Sequence, residues 1–182
     1  MTAQESAFLT DVRTLRERAR KHMEEGAVTP GYKADARTVI EMLNAALATE
    51  LVCVLRYRHH AYMASGIHAT SVAGEFQEHA DEEQVHADQI ARRIVQLGGE
   101  PDLNPDTLSA RSHSEYVSTR DLEGMIRENL VAERIAIDSY AEMIRYLGND
   151  DPTTRRMLEE ILAVEEEHAD DLVSLLEGQS HR

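Results

Sequence analysis

The sequence contains the motif Glu-x-x-His twice, and each copy could supply two ligands to one metal ion. The copies are Glu83 with His86, in the segment EQVHAD, and Glu165 with His168, in the segment EEEHAD. Residues three apart lie on the same face of an α-helix, so the carboxylate and the imidazole of each motif can reach the same ion. One such motif on a charged helix is usually a coincidence, and the repetition needs further support.

A second pair of glutamates lies upstream at corresponding distances. Glu50 precedes Glu83 by 33 residues, and Glu133 precedes Glu165 by 32. Both upstream glutamates have aliphatic neighbours, which predicts buried positions where an isolated carboxylate costs several kcal/mol unless it is paired or metal-bound. Four carboxylates and two imidazoles in a duplicated frame favour a dinuclear iron centre, with manganese as a second metal, because zinc prefers ligand sets richer in histidine and cysteine.

Spacing also connects two tyrosines with this set. Tyr57 follows Glu50 by seven residues, and Tyr140 follows Glu133 by seven. Two helical turns separate the members of each pair, so they lie on one helix face. Each tyrosine is expected either to be an ordinary core residue or to hydrogen-bond a ligand or exchange electrons beside the metals. Spacing alone suggests that Glu50 and Glu133 bridge the two ions.

Helices must position these residues, and apolar periodicity predicts a short leading helix followed by four long ones. The stretch 100–118 has two prolines and little periodicity, which is typical of a long crossover. The order predicts an all-α, ferritin-like four-helix bundle with its crossover between the second and third bundle helices. The predicted parts are an N-terminal helix and linker (1–32), the bundle (33–178) and a tail (179–182), and the predicted helices cover about 4–25, 34–65, 69–97, 119–147 and 152–176.

Composition excludes several classes of function. The 182 residues carry a net charge of −15, and the basic segment 13–22 is the only local exception, so direct nucleic-acid binding is not expected. The single cysteine, Cys53, lies in an apolar run and is expected to be a core residue, since it cannot form a disulfide framework or a Cys₄ metal site alone. The N-terminus has no signal-peptide pattern and no apolar run approaches membrane-spanning length, so we expect a cytoplasmic protein.

Four segments together resemble bacterioferritin over about residues 43–175. They are LNAALATELVCVLRYRHHA, HADEEQVHADQIARRIVQLGGEPDL, ENLVAERIAIDSYAEMI and EEILAVEEEHADDL. The resemblance implies an iron-storage ferroxidase, which oxidises Fe²⁺ with peroxide or O₂ at a di-iron centre inside each subunit. By position it implies that Glu83 and Glu165 bridge the irons, whereas spacing alone suggests Glu50 and Glu133. It also implies that Tyr57 lies beside the centre. The implied iron ligands are Glu50, Glu83, His86, Glu133, Glu165 and His168.

The chain departs from this family at two places. Bacterioferritin binds haem through a methionine directly after the first motif glutamate, and Gln84 stands there, which argues against haem. The family's short fifth helix has no room after His168, whereas the leading helix resembles the smaller Dps-like ferritins. The resemblance therefore favours a homo-oligomeric shell of twelve subunits over one of twenty-four. Some Dps-like members carry a cysteine pair near the metals, which Cys53 alone cannot supply.

Other functions stay open at this point. The scaffold also suits a dimanganese or di-iron catalase-like or peroxidase-like enzyme, a Dps-type DNA-protecting protein, or a helical bundle without metal. The remaining histidines, among them His79 one turn before the first motif, are expected to be surface or hydrogen-bonded residues. Metal content and subunit number would separate most of these alternatives.

Overall fold

A computed structural model of the chain describes residues 10–66 and 69–180, and within these ranges it contains six α-helices and no β-strand. The predicted all-α class is confirmed. The chain divides into two compact units between Tyr32 and Lys33, the first containing α1 and the second the other five helices. The helices are α1 (Val12–Lys21), α2 (Ala36–Met63), α3 (Ala69–Gln96), α4 (Leu108–Arg111), α5 (Leu122–Leu147) and α6 (Pro152–Ser180).

The long helices match the predicted segments, but three details differ. The leading helix begins at Val12, because Asp11 caps it by accepting a hydrogen bond from the backbone of Thr14; residues 4–9 of the predicted helix lie outside the described residues. The crossover contains the single-turn helix α4, which its weak periodicity did not indicate. The last helix continues through Gly178 to Ser180, since one glycine inside a helix costs only about 1 kcal/mol.

Aspartate side chains start the two C-terminal helices. Asp121 accepts a hydrogen bond of 2.7 Å from the backbone N–H of Gly124, and Asp151 accepts one of 2.9 Å from that of Thr154. Such caps satisfy backbone donors that have no partner within the helix. The prediction that Asp151 caps α6 is therefore confirmed.

The bundle consists of two helix pairs. Helix α2 packs along α3 and α5 packs along α6, and the pairs join through α2 against α5 and α3 against α6. The Asn44 amide ties the crossover to α2, with bonds to the carbonyl of Glu100 (3.2 Å) and the N–H of Asp102 (2.7 Å). At one end, Arg93 of α3 donates to both carboxylate oxygens of the buried Asp151, at 2.9 and 3.1 Å. This is the wiring of a four-helix bundle with one long crossover.

Each long helix places a buried glutamate between two buried hydrophobic residues, one seven positions before it and one seven after. Seven residues make about two turns, so all three face the bundle interior. Consequently a layer of carboxylates lies between two apolar layers. The four triplets are Leu43, Glu50 and Tyr57; Phe76, Glu83 and Ile90; Ile126, Glu133 and Tyr140; and Leu158, Glu165 and Leu172.

Helix α2 differs from expectation in its apolar character. Among the described residues it is the one helix that is long and apolar enough to cross a membrane by composition, although no such segment was predicted. Just over half of its most apolar segment is buried in the bundle, and the helix also buries Glu50 and Arg56. Its buried apolar residues therefore serve as bundle core. The cytoplasmic location stays a prediction.

Candidate metal centre

The six residues predicted as ligands lie together in the carboxylate layer, and none of them is more than 5% exposed. Every long helix contributes at least one of them because each places its glutamate at the same height between the apolar layers. The six are Glu50 on α2, Glu83 and His86 on α3, Glu133 on α5, and Glu165 and His168 on α6.

The six residues form two overlapping groups of potential metal donors. Glu50 and His86 belong to one group and Glu133 and His168 to the other, while Glu83 and Glu165 belong to both. In each group, one donor atom per residue lies within 4.8 Å of the others. Two groups that share two carboxylates have the arrangement needed to hold a pair of ions with those carboxylates between them.

Short distances join the histidines to the carboxylates around them. Nδ1 of His86 lies 3.1 Å from Glu165 Oε1 and 3.3 Å from Glu50 Oε2. Nδ1 of His168 lies 3.5 Å from Glu165 Oε2 and 3.8 Å from Glu83 Oε1. In both rings the same nitrogen faces the carboxylates, so the two halves of the centre repeat each other.

Many of these buried polar atoms have no hydrogen bond among the described residues. An unsatisfied buried polar group typically costs about 1–3 kcal/mol, so a cluster of them indicates a missing partner. Each of the six residues contributes at least one such atom: Glu50 Oε2, Glu83 Oε1, His86 Nδ1, Glu133 Oε2, both carboxylate oxygens of Glu165, and His168 Nδ1.

Burial sets the protonation of the carboxylates in the metal-free protein. Burial, and next the charge of Glu165, raise the pKa of both Glu83 and Glu133 well above the usual range. Burial also disfavours the charge on Glu165, but the imidazoles of His168 and His86 outweigh it and lower the pKa of Glu165 to about 2. The metal-free centre therefore holds Glu165 as a carboxylate and the other two as carboxylic acids.

The two imidazoles are protonated in the same state. Burial favours the neutral ring, but the close carboxylates of Glu165 and Glu50 raise the pKa of His86 to about 10. In the same way the close carboxylate of Glu165 raises the pKa of His168 to about 9. Protons thus occupy donor atoms that a metal ion would bind, and metal binding must release them.

The two tyrosines bond across the bundle to the glutamates of the opposite helix pair. Tyr57 on α2 donates to Glu133 on α5, and Tyr140 on α5 donates to Glu50 on α2. The seven-residue spacing predicted the right helix face but not this crossed pairing. Each hydroxyl orients one glutamate that belongs to only one donor group.

Sequence reasoning missed Glu82, which holds His168 from outside. Its Oε2 lies 2.7 Å from Nε2 of His168, the ring nitrogen that faces away from the carboxylate layer. Outer partners of this kind fix the orientation of ligating imidazoles. The signal was weak because Glu82, on α3, is half-exposed and is one acidic residue among many.

Other residues singled out from the sequence lie beside the centre or apart from it. His79 is buried, with Nδ1 3.2 Å from the hydroxyl of Tyr57.

Cys53 is buried 3.3 Å from the guanidinium of Arg56, and burial raises the pKa of its thiol to about 12, so the thiol stays protonated. Gln84 donates to Asp88 at 3.1 Å. His68 and His181 lie outside the described residues.

The donor set fits a pair of hard to borderline transition-metal ions. Four carboxylates and two imidazoles suit iron or manganese, and their negative charge favours higher oxidation states such as Fe³⁺. The orphaned oxygen and nitrogen atoms supply donors on both sides of the shared glutamates.

Comparison with known proteins gives the same picture. A family model described as a ferritin-like domain matches residues 40–179. Bacterioferritin from Rhodobacter capsulatus is 32% identical over 140 residues, which cover 76% of this chain and 81% of that protein. The DNA protection during starvation protein from Pyrococcus furiosus is 28% identical over 153 residues, 80% of each chain.

A solved structure resembles the fold closely. The bacterioferritin-related protein from Bacteroides fragilis, described as a dodecameric thioferritin, superposes with a TM-score of 0.79 and 36% identity. The superposition covers 82% of this chain and 90% of that one.

Proposed function

The chain belongs to the ferritin-like family, and on that basis we propose that it is a ferroxidase that oxidises Fe²⁺ at a dinuclear centre inside each subunit and stores the product. Peroxide or O₂ is the electron acceptor. The same reaction protects a cell from oxidative stress, because it consumes Fe²⁺ and the oxidant together.

One observation carries this proposal: Glu83 and Glu165 are shared by two groups of buried donors that otherwise lack partners. We assign Glu50 and His86 to one iron, Glu133 and His168 to the other, and the shared glutamates to bridging positions. This favours the bridging scheme that the family resemblance implies over the one suggested by spacing.

The residues perform simple tasks in this reaction. Each of two Fe²⁺ ions gives up one electron, and one H₂O₂ takes both electrons with two protons and leaves as two waters. The carboxylates stabilise the higher charge of Fe³⁺ and hold the ions side by side in a pocket with little water. Glu82 keeps the His168 ring in the orientation that presents Nδ1 to the centre.

We further propose that twelve subunits form a hollow shell. The dodecameric description of the bacterioferritin-related relative from Bacteroides fragilis supports this number, and the leading helix α1 is consistent with the Dps-like size class. A shell of twenty-four is the alternative, and the mass of the assembled protein in solution separates the two.

Stopped-flow oxidation tests the function. Fe²⁺ added with peroxide should give a fast Fe³⁺ absorbance phase that saturates at two irons per chain. Glu133→Gln should abolish this phase, whereas the control Glu142→Gln, an exposed glutamate on the same helix, should retain it. An unchanged rate in Glu133→Gln would contradict the assignment.

The same protein can be tested for the catalase-like alternative. Sustained O₂ evolution from peroxide without added Fe²⁺, together with manganese in the purified protein, would replace the ferroxidase proposal. We expect iron in the purified protein and no sustained O₂ evolution.

A further inference from the structure

A third cluster of donor atoms lies beside the His168 half of the centre. It contains Glu75 and His79 on α3 and Asp171 on α6, with one donor atom of each within 4.8 Å of the others. Nε2 of His79 lies 3.6 Å from Glu75 Oε1 and 3.8 Å from Asp171 Oδ2. None of these three residues belongs to the ligand set assigned above.

The ring of His79 is fixed on its inner side. Its imidazole stacks on that of His168 with centroids 4.0 Å apart and planes 20° apart, and its Nδ1 faces the Tyr57 hydroxyl. The side chain is 2% exposed. Nε2 is therefore turned outward to the two carboxylates, and among the described residues it has no hydrogen-bond partner.

The separations fit an ion better than a hydrogen bond. At 3.6 and 3.8 Å the carboxylate oxygens are beyond hydrogen-bonding distance from Nε2. Metal–ligand bonds of about 2.0–2.2 Å separate neighbouring donor atoms by roughly 3–4 Å, as here. One imidazole and two carboxylates suit divalent first-row ions.

The cluster opens to solvent through its carboxylates. The side chain of Glu75 is 34% exposed and that of Asp171 is 54% exposed, so a hydrated cation can reach them. Burial and then the charge of Asp171 raise the pKa of Glu75, which reflects two carboxylates facing each other. Close carboxylates attract cations from solution.

The duplication of the helix pairs does not explain this cluster. The positions that correspond to Glu75, His79 and Asp171 in the other half hold Met157, Ile161 and Gln89. Within the part of the chain that the structure describes, the His168 side alone groups an imidazole with two carboxylates outside the carboxylate layer.

We propose that Glu75, His79 and Asp171 form a separate site for one divalent first-row ion, from which Fe²⁺ passes to the His168 half of the centre. The ion-binding part stands on the geometry of the cluster alone. The transfer part rests on the proposed ferroxidase function.

Co²⁺ binding tests the site without any reaction. Equilibrium dialysis with metal analysis should show that the unaltered protein binds one Co²⁺ more than the pair at the centre. The double variant Glu75→Gln/Asp171→Asn should lose that one ion and keep the pair, which also shows that it is folded. The control Glu78→Gln/Asp170→Asn removes the same charge from exposed residues of the same helices and should bind as much Co²⁺ as the unaltered protein.

Diffraction and kinetics complete the test. Crystals grown with Co²⁺ should show an anomalous peak at bonding distance from Nε2 of His79, and the double variant should lack it. At limiting Fe²⁺ the double variant should load iron about tenfold more slowly, since a charged cleft raises on-rates at least that much.

The outcomes separate the two proposals. Equal Co²⁺ binding in the double variant and the unaltered protein, or no peak at His79, overturns the third site whatever the activity. Loss of the extra Co²⁺ in a protein that oxidises no iron supports the site and contradicts the ferroxidase. Loss of the extra Co²⁺ with an unchanged rate of iron loading overturns the transfer step.

Discussion

The two histidines of the centre have equivalent donors on the inside but different neighbours on the outside. Around His168, the outer ring nitrogen is 2.7 Å from Glu82 and the ring stacks on His79. The ring of His86 instead borders a cavity of about 260 Å³ between α3 and α6, which is lined by the aliphatic Val85, Ile161 and Val164 and by the polar Glu82, Gln89 and Glu160. The sequence explains why the two histidines have different outer neighbours. The position directly before the motif glutamate is Glu82 on α3 but Val164 on α6.

The ligand residues are the same in the two halves, whereas the residues around them differ. The ligands need only the seven-residue register of each helix, so both halves keep them. The residues one layer further out differ between the halves. The outer nitrogen of His168 meets a carboxylate, whereas His86 borders a cavity with both aliphatic and polar walls.

The largest effect is expected where both halves depend on one residue. Glu83→Gln should remove binding of the ion pair and lower the rate of iron oxidation by more than the ~100-fold typical of losing an outer partner. Because burial raises the pKa of Glu83, the metal-free protein already holds it as an acid, and glutamine mimics that acid.

The metal-free Glu83→Gln protein should therefore melt within a few degrees of the unaltered protein. Metal analysis after dialysis, together with melting curves with and without Mn²⁺, checks both parts. A variant that still binds two ions would show that Glu83 is not shared between the halves.

The second prediction concerns pH and applies to both halves together. In the metal-free protein the pKa values of His86 and His168 are raised to about 10 and about 9, so both imidazoles are protonated at neutral pH. A metal ion must displace these protons, so its affinity should rise with pH and level off above these values, by about tenfold per pH unit for each proton released.

Mn²⁺ titrations between pH 6 and 8 measure this slope, and a pH electrode in unbuffered solution measures the released protons. Affinity that does not change with pH would contradict the protonation state described for the metal-free centre.

The third prediction tests the difference between the halves. Glu82→Ala should lower metal affinity or activity about 10–100-fold, because His168 loses the partner that orients it. Val164→Ala at the equivalent position should change neither by more than a few-fold, since Val164 touches no ligand through a polar contact. Equal losses in the two variants would mean that the outer layers of the two halves do not differ in function.

The smallest effect is expected from the crossed tyrosines. Tyr140→Phe removes one hydrogen bond to Glu50 and should slow oxidation roughly fivefold, which corresponds to about 1 kcal/mol. Tyr57→Phe should cost more, because Tyr57 contacts both Glu133 and His79. Stopped-flow rates of the two variants under identical conditions decide the order, and a larger loss in Tyr140→Phe would contradict it.

Much of this centre could be predicted because its signals repeat along the chain. The two Glu-x-x-His motifs, the upstream glutamates at 33 and 32 residues and the tyrosines seven residues on all depend on helix periodicity, which sequence displays directly. Contacts between helices are different. The crossed tyrosine bonds and the Glu82 contact depend on how α3 meets α6 and α2 meets α5, and a half-exposed glutamate on an acidic chain carries no periodic signal of its own.

In the fold, too, local features could be predicted from the sequence and contacts between distant segments could not. Asp151 was a recognisable cap because it precedes a proline at the start of a helix, and the structure confirms it. The single-turn α4 was not recognisable, since Arg111 at its end bonds the carbonyls of Asn44 and Asp102, contacts that only the folded chain provides.

Anomalous diffraction from crystals loaded with Fe²⁺ without oxygen tests whether each bundle holds a pair of iron ions. We predict two iron peaks inside each bundle about 3.5–4 Å apart, one beside Nδ1 of His86 and one beside Nδ1 of His168, with Glu83 and Glu165 between them. A bundle interior without iron, or a single peak bound by only one histidine, would contradict it.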